Sequence, residues 1–240
     1  MPPRPAPPEI VAHRGTPRER TENTLRSFAR ALELGADGVE LDVHATRDGV
    51  AVVHHDPVPR AVRADGRAEP RPIAALTARE VAALRFPDGD GIPTLDALLD
   101  LLGARATAYV ELKGRDCDAA VLATLARHPT PAAVHSFDHR AVRRVSAARP
   151  ALRTGLLLSS YVLDAPALLR AAGARDLWQE WEWIDAALVD AVHAAGGRVV
   201  AWTANDPGAV ASLARLGVDA ICTDVPAVAR AAAGGVAPAR

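Results

Sequence analysis

The chain has 240 residues, 49% hydrophobic and 24% charged, which is enough apolar material for a large core and excludes a disordered chain. A formal net charge of −1 excludes a surface built to neutralise the phosphates of nucleic acid or an anionic membrane, and 4% aromatics is too few for a base-stacking platform. No stretch approaches the ~20 apolar residues that cross a bilayer, so no stable membrane anchor is expected.

Short apolar runs alternate with Ala/Leu-rich amphipathic segments, the pattern of βαβ units and a parallel sheet. Residues 1–8 are Pro-rich and lack the apolar segment of a signal peptide; they read as a disordered leader. Strands are expected at 10–12, 39–43, 51–54, 109–112, 133–136, 154–158, 177–179, 199–202 and 220–222. Helices are expected at 24–34, 95–102, 119–127, 139–148, 165–172, 185–195 and 207–216. Residues 231–240 read as a flexible tail. Cys117 and Cys222 are too few for a disulfide framework, so free thiols and a cytoplasmic location are expected.

Nine strands are one too many for an eight-stranded barrel. The linker after Val43 is too short for a parallel crossover, which needs about a dozen residues. Its Asp48-Gly49 pair reads as a tight hairpin turn. Placing the turn there pairs Arg47 with Val50 and Val43 with His54. Without that antiparallel arm, eight parallel strands remain: a TIM (β/α)8 barrel with a β-hairpin arm after strand 2. The Pro-, Gly- and Arg-rich segment at about 56–93 reads as a small insertion before strand 3. One domain spans 9–230.

In such a barrel the active site lies at the C-terminal strand ends. The first strand ends in His13-Arg14-Gly15. The second presents Glu40 and Asp42 on one face, because strand side chains alternate with period two. The arm returns His54-His55-Asp56 beside Asp42. Glu111 and Lys113 share a face of the next strand. The chain has a single Lys, Lys113, a single Gln, Gln179, and two Asn, Asn23 and Asn205. All four fall at this one end of the expected fold.

Glu40, Asp42 and Glu111 suit one hard divalent cation, Mg²⁺ or Ca²⁺, since three close acids without an ion repel. His13 and His55 converge on them and are candidates for general acid and base. Arg14, Lys113 and a cation make a basin for phosphate. Trp202 is expected as an apolar wall and Asn205 as a hydrogen-bond partner of substrate. His44, His128, His135, His139 and His193 read as surface or packing residues. His54 is aimed opposite to His55. Trp178, Trp181 and Trp183 read as packing, with Trp178 also able to line the mouth, and Phe137 reads as packing.

His13-Arg14-Gly15, Glu22-Asn23-Thr24, Glu40-x-Asp42-Val43, Thr46-Arg47-Asp48-Gly49, Val52-Val53-His54-His55-Asp56, Pro93-Thr94-Leu95, Glu111-Leu112-Lys113, Ser136-Phe137, Ala201-Trp202-Thr203-x-Asn205 and Thr223-Asp224 occur in this order. Together they resemble the glycerophosphodiester phosphodiesterase (GDPD) family over nearly the whole chain. The chain departs from the family pattern at 57–62, where only Arg60 survives, and at Ala204 and Thr21. The resemblance implies a TIM barrel and a metal-dependent hydrolase acting on small-molecule glycerophosphodiesters. It implies His13 and His55 as the acid–base pair and Glu40, Asp42 and Glu111 as metal ligands. Arg14 and Lys113 are then phosphate contacts, with Glu22, Asn23, Trp202 and Asn205 completing the substrate-binding set. The expected reaction is attack of the glycerol 2-hydroxyl or of water on phosphorus, giving sn-glycerol 3-phosphate and an alcohol. Two alternatives remain at this level: lysophospholipase D chemistry on lysophospholipids, and a catalytically silent barrel that binds phosphorylated ligands. The oligomeric state is not legible in the sequence.

Overall fold

Strand β1 (Glu9–His13) pairs in parallel with both β2 (Gly38–Ala45) and β9 (Ala220–Thr223), and this double pairing closes the sheet. The computed structural model describes residues 7–234. Between β2 and β9 the parallel order runs through β4 (Thr107–Leu112), β5 (Ala132–Ser136), β6 (Arg153–Leu158), β7 (Asp176–Glu180) and β8 (Arg198–Trp202). Eight parallel strands therefore form a TIM barrel, as the linker lengths predict. The ninth, β3 (Ala51–Val53), pairs antiparallel with β2 alone.

Helices α1 (Leu25–Glu33), α3 (Leu95–Leu102), α4 (Asp118–Leu125), α5 (His139–Ala148), α6 (Ala165–Ala172), α7 (Ala186–Ala194) and α8 (Pro207–Leu216) cover the outside. Most start at a Thr or Asp whose side chain accepts a backbone N–H of the first turn: Thr24, Thr94, Asp138, Asp164, Asp185 and Asp206. The short α2 (Ala78–Ala82) lies in the insertion, closed by a capping box of Thr77 and Glu80. The insertion has its own apolar cluster, including Ala61, Ile73, Leu76 and Leu84, packed on Val52 of β3.

Alternation along the strands sorts the interior. Val39, Leu41 and Val43 of β2 point out into the layer beneath the helices. Val11, Tyr109, Ala133, Leu157, Trp178, Val200, Ala220 and Cys222 fill the barrel axis. Below them Asp176 is buried against Arg153 at 3.2 Å and Arg198 at 3.6 Å. Above them lie the acids and imidazoles of the strand ends.

Two expectations are corrected. The arm is shifted by one residue: Val43 pairs with Val53, not His54. Thr46 and Val50 close a three-residue loop, Arg47-Asp48-Gly49, with Gly49 left-handed at φ 78°. Glycine adopts that conformation without a Cβ penalty, so the longer loop replaces the two-residue turn. His54 then faces Asp42, its N–H donating to the Asp42 carbonyl at 2.9 Å. The second correction is a further helix, α9 (Pro226–Gly234), which packs on α8 and β1. Its run of alanines has little polar–apolar contrast to read. Residues 231–234 of the expected tail are its last turn, and 235–240, like 1–6 of the expected leader, lie outside the described residues.

Candidate active site

The strand ends enclose a cavity of about 190 Å³. Sites for drug-sized ligands exceed ~300 Å³, so this one suits a smaller molecule. Its wall divides by chemistry. His13, Arg14, Glu40, His55, Glu111 and Lys113 form a charged side; Phe137, Leu157, Trp178 and Trp202 form an apolar side. Phe137 and Trp202 meet edge to face with ring centroids 5.5 Å apart. Phe137 therefore lines the cavity rather than the core.

Two of the imidazoles that line the cavity, those of His13 and His55, are anchored from behind. His13 Nδ1 donates to Asp224 Oδ1 at 2.7 Å, and His55 Nδ1 to Asp56 Oδ1 at 2.7 Å. A carboxylate on Nδ1 fixes the tautomer and leaves Nε2 as the free ring nitrogen. Asp224 is itself held: Asn205 Nδ2 donates to Asp224 Oδ2 at 2.7 Å, and Asn205 Oδ1 accepts from the Thr223 hydroxyl and the Asp224 N–H. Asn205 thus addresses Asp224 and not the cavity. Asp56 Oδ2 accepts from Arg60 Nε at 2.5 Å. Burial raises Asp56, but the hydrogen bonds of Arg60 and His55 outweigh it and hold it down at about 2. Asp224 is lowered in the same way, burial being outweighed by His13 and Asn205. Both partners stay anionic at neutral pH. His54 turns away, its Nε2 accepting from the Arg60 N–H and its ring near Phe86.

The three acids do not stand alike. Asp42 is enclosed by two cations and an amide: Arg14 Nε lies 3.0 Å from Oδ2, Lys113 Nζ 3.5 Å from Oδ1, and Asn23 Nδ2 donates to Oδ2 at 2.8 Å. Burial would raise Asp42, but Arg14, Lys113 and the Asn23 amide bring it below its ordinary value. Burial, then repulsion by Asp42 and Glu111, drives Glu40 well above the carboxylate range. Glu111 is pushed up to about 7 by burial and by Asp42, although Lys113 Nζ is 2.8 Å from its Oε1. Arg14 reaches across to Glu22 at 3.2 Å. Arg14 and Asn23 are both left-handed, at φ 54° and 57°. That conformation costs of order 1 kcal/mol for a residue such as Arg, and Asn tolerates it better.

Glu40 Oε1 and Asp42 Oδ1 are buried and have no hydrogen-bond partner among the described residues. Buried carboxylate oxygens are seldom left so, and a divalent cation beside both would satisfy them. The donor set therefore fits a metal. Glu40, Glu111 and His135 offer ligand atoms all within 4.8 Å of one another. His135, expected among the surface or packing residues, lines the cavity, stacked on Trp178 with centroids 4.0 Å apart and planes 5° apart. Burial pulls its pKa down to about 3, so the ring is neutral. Gly155 makes this stack possible, since a Cβ there would lie 2.7 Å from Trp178 Cδ1. Alternation from Ala133 along β5 puts His135 inward beside Glu111, its register partner. That was the signal available for it. Asp56 and Asp224 stand in the sequence motifs, but only the structure gives them their task.

A closed parallel barrel with imidazoles, carboxylates and two cationic side chains around a small cavity at its C-terminal end has the layout of a TIM-barrel enzyme. Comparison with known proteins narrows the class. The model of the Glycerophosphoryl diester phosphodiesterase family matches residues 13–228, and the chain belongs to that family. It is 28% identical over 229 residues to a glycerophosphodiester phosphodiesterase of Caldanaerobacter subterraneus subsp. tengcongensis, covering 90% of this chain and 94% of the relative. A probable glycerophosphodiester phosphodiesterase 2 of Mycobacterium tuberculosis is 32% identical, with 89% and 86% covered. Among solved structures, a putative glycerophosphoryl diester phosphodiesterase from Silicibacter pomeroyi superimposes with a TM-score of 0.89 at 27% identity, over 97% of this chain and 96% of the other. An Oleispira antarctica phosphodiesterase, in complex with the product sn-glycerol-3-phosphate, gives 0.84 at 27% identity, over 94% and 96%.

Proposed function

We propose that the protein hydrolyses glycerophosphodiesters to sn-glycerol 3-phosphate and an alcohol, with His13 and His55 as the acid–base pair and a divalent cation held at Glu40, Asp42 and Glu111. The observation that carries this reading is the paired imidazoles: two rings from distant stretches of chain face one cavity, each backed by its own carboxylate at 2.7 Å. One ring takes a proton from the attacking hydroxyl and the other gives one to the departing alcohol oxygen. Arg14 and Lys113 face the phosphoryl oxygens, where negative charge grows. The cation, when bound, supplies Lewis-acid stabilisation of that same charge. Trp202 and Phe137 cover the carbon face of the glycerol and exclude water from it. The product complex of the Oleispira antarctica relative supports glycerol 3-phosphate as the group recognised.

The test uses glycerophosphocholine. Release of choline and glycerol 3-phosphate, abolished by EDTA and restored by a divalent ion, supports the proposal. His13→Ala and His55→Ala should each lower kcat by at least about 10²-fold, the usual range for general acid–base catalysis. Full activity in both variants overturns the assignment.

One observation favours a second substrate class. Of the large apolar side chains that are exposed, Phe137 (47%), Tyr161 (40%), Leu163 (99%) and Trp183 (46%) sit on three consecutive loops, after β5, β6 and β7. Phe137 belongs to the apolar side of the cavity, and the loops that carry the others follow the neighbouring strands. A lysophospholipid with its acyl chain on the glycerol would find cover there. Leu163→Ser with Trp183→Ser should then lower turnover of lysophosphatidylcholine and leave glycerophosphocholine unaffected. Equal effects on both, or no lysolipid turnover in the native chain, remove this reading.

A further inference from the structure

We propose that His135 is a ligand of the cation, and that its nitrogen makes the site prefer a borderline transition ion of the Co²⁺ or Zn²⁺ kind over Mg²⁺ and Ca²⁺. The inference rests on the reading that a divalent cation occupies the acids at all. It changes which ion that is.

Three features of the structure point the same way. First, the group whose ligand atoms approach within 4.8 Å of one another is Glu40, Glu111 and His135, all buried. Second, two polar atoms of this group lack partners, although Glu111 Oε1 meets Lys113 Nζ at 2.8 Å. Glu40 Oε1 and His135 Nδ1 have no hydrogen bond among the described residues. His135 Nε2 stands 3.8 Å from Glu40 Oε1, too far for a hydrogen bond. Two donors each about 2.1 Å from one ion lie up to about 4.2 Å apart, so that gap suits a shared metal. Third, the ring is held in place without polar contacts. Trp178 lies flat against it, and Gly155 leaves the room for Trp178. A stacked imidazole with no hydrogen bond to fix its tautomer, edge toward a buried carboxylate, is poised to offer a lone pair.

Asp42 leaves space for this ligand. Its Oδ2 is committed to Arg14 and Asn23, so the one oxygen it could bring to the ion is Oδ1, which has no hydrogen bond and lies 3.5 Å from Lys113 Nζ. An all-oxygen set would suit Mg²⁺ or Ca²⁺. Replacing one oxygen by imidazole nitrogen shifts the balance toward ions later in the Irving–Williams order, because hard cations gain little from nitrogen.

The experiment measures ion binding rather than turnover. Co²⁺ and Ca²⁺ are titrated calorimetrically into the metal-free full chain, and into His135→Gln, His135→Asn and Glu40→Gln. Native protein should bind Co²⁺ more tightly than Ca²⁺. Each His135 variant should lose at least about tenfold in Co²⁺ affinity, the range seen when metal-site support is removed, and stay within about threefold for Ca²⁺. Pulsed EPR of the native chain loaded with Mn²⁺, grown with and without ¹⁵N-histidine, should show a nitrogen coupling that His135→Gln removes. This reading needs no stable variant to fail: no nitrogen coupling in the native chain overturns it. Equal losses for both ions, or none for either, also overturn it. If Glu40→Gln abolishes binding while both His135 variants keep it, the cation stands and the ligand falls. If the native chain binds neither ion, the cation reading itself is wrong.

Discussion

Asn205 and Asp224 are locked together by two hydrogen bonds, side chain to side chain at 2.7 Å and backbone N–H to the Asn205 Oδ1 at 2.8 Å. The consequence reaches the cavity through His13, whose Nδ1 meets the other oxygen of Asp224. Asn205 thus acts at two removes from any substrate. Asp224→Asn keeps the shape but allows the wrong tautomer of His13, and kcat should fall by about 10²–10⁴-fold with little change in KM. Asn205→Ala frees one side of Asp224 and should cost about tenfold. Steady-state kinetics on glycerophosphocholine check both. A rise in KM with kcat unchanged would place Asn205 in substrate binding after all.

The comparison of Asn205 with Glu40 shows where a sequence stops being readable. Period-two alternation inside a strand fixes direction, so Glu40 with Asp42 and Glu111 with Lys113 come out inward from spacing alone. Asn205 lies past the end of β8, where no period holds. Its motif shows that it belongs to the site but not which way it faces. His135 is the opposite case. The same alternation places it beside Glu111, but a lone histidine in an apolar run reads first as packing. The hairpin register turned on whether Gly49 closes a two- or a three-residue loop, a choice of one backbone conformation that the Asp-Gly pair leaves open.

Glu40 and Glu111 are both raised by burial and by the nearby charge of Asp42, so a bound cation would relieve a repulsion that the fold itself carries. An ion that binds the folded chain alone stabilises it by about 2.7 kcal/mol at a hundredfold excess over Kd. For a chain of this size that is a rise of about 5–10 °C in Tm. Thermal melts with EDTA and with a divalent ion measure it. Glu111→Gln removes one acid, so its metal-free form should melt higher than the native metal-free form, and added ion should raise its Tm less. A native Tm that does not respond to divalent ions contradicts this account.

At the opposite end of the barrel, burial pushes Asp176 up to about 6, only partly offset by Arg153 and Arg198. The unfolded value is the ordinary 3.8. Below that value the carboxyl is protonated in both states and carries no penalty. Between about 4 and 6 the folded chain holds the proton that the unfolded chain has released, so stability from this group falls as pH rises through that window. The loss is on the order of 3 kcal/mol. Asp176→Asn lacks the titration. Urea unfolding at pH 4 and at pH 7 should show the variant gaining on the native chain between the two. A constant difference at both pH values would mean that Asp176 ionises normally in its pair with Arg153.

Gly155 offers a stability test that also reads the site. A Cβ added there would lie 2.7 Å from Trp178 Cδ1 and 2.9 Å from Nε1, so either β6 or the indole must move. Overpacking of this kind costs about 1–3 kcal/mol. The indole is the floor on which His135 lies. Gly155→Ala should therefore lower Tm and, in the folded fraction, weaken Co²⁺ binding more than Ca²⁺ binding. His13 and His55 hang from other strands, β1 and the end of the arm, and their acid–base pH profile should be unchanged. The measurement is a melt, followed by calorimetric titration well below the new Tm. A variant that is less stable yet binds Co²⁺ as the native chain does would show that the stack on Trp178 serves packing alone.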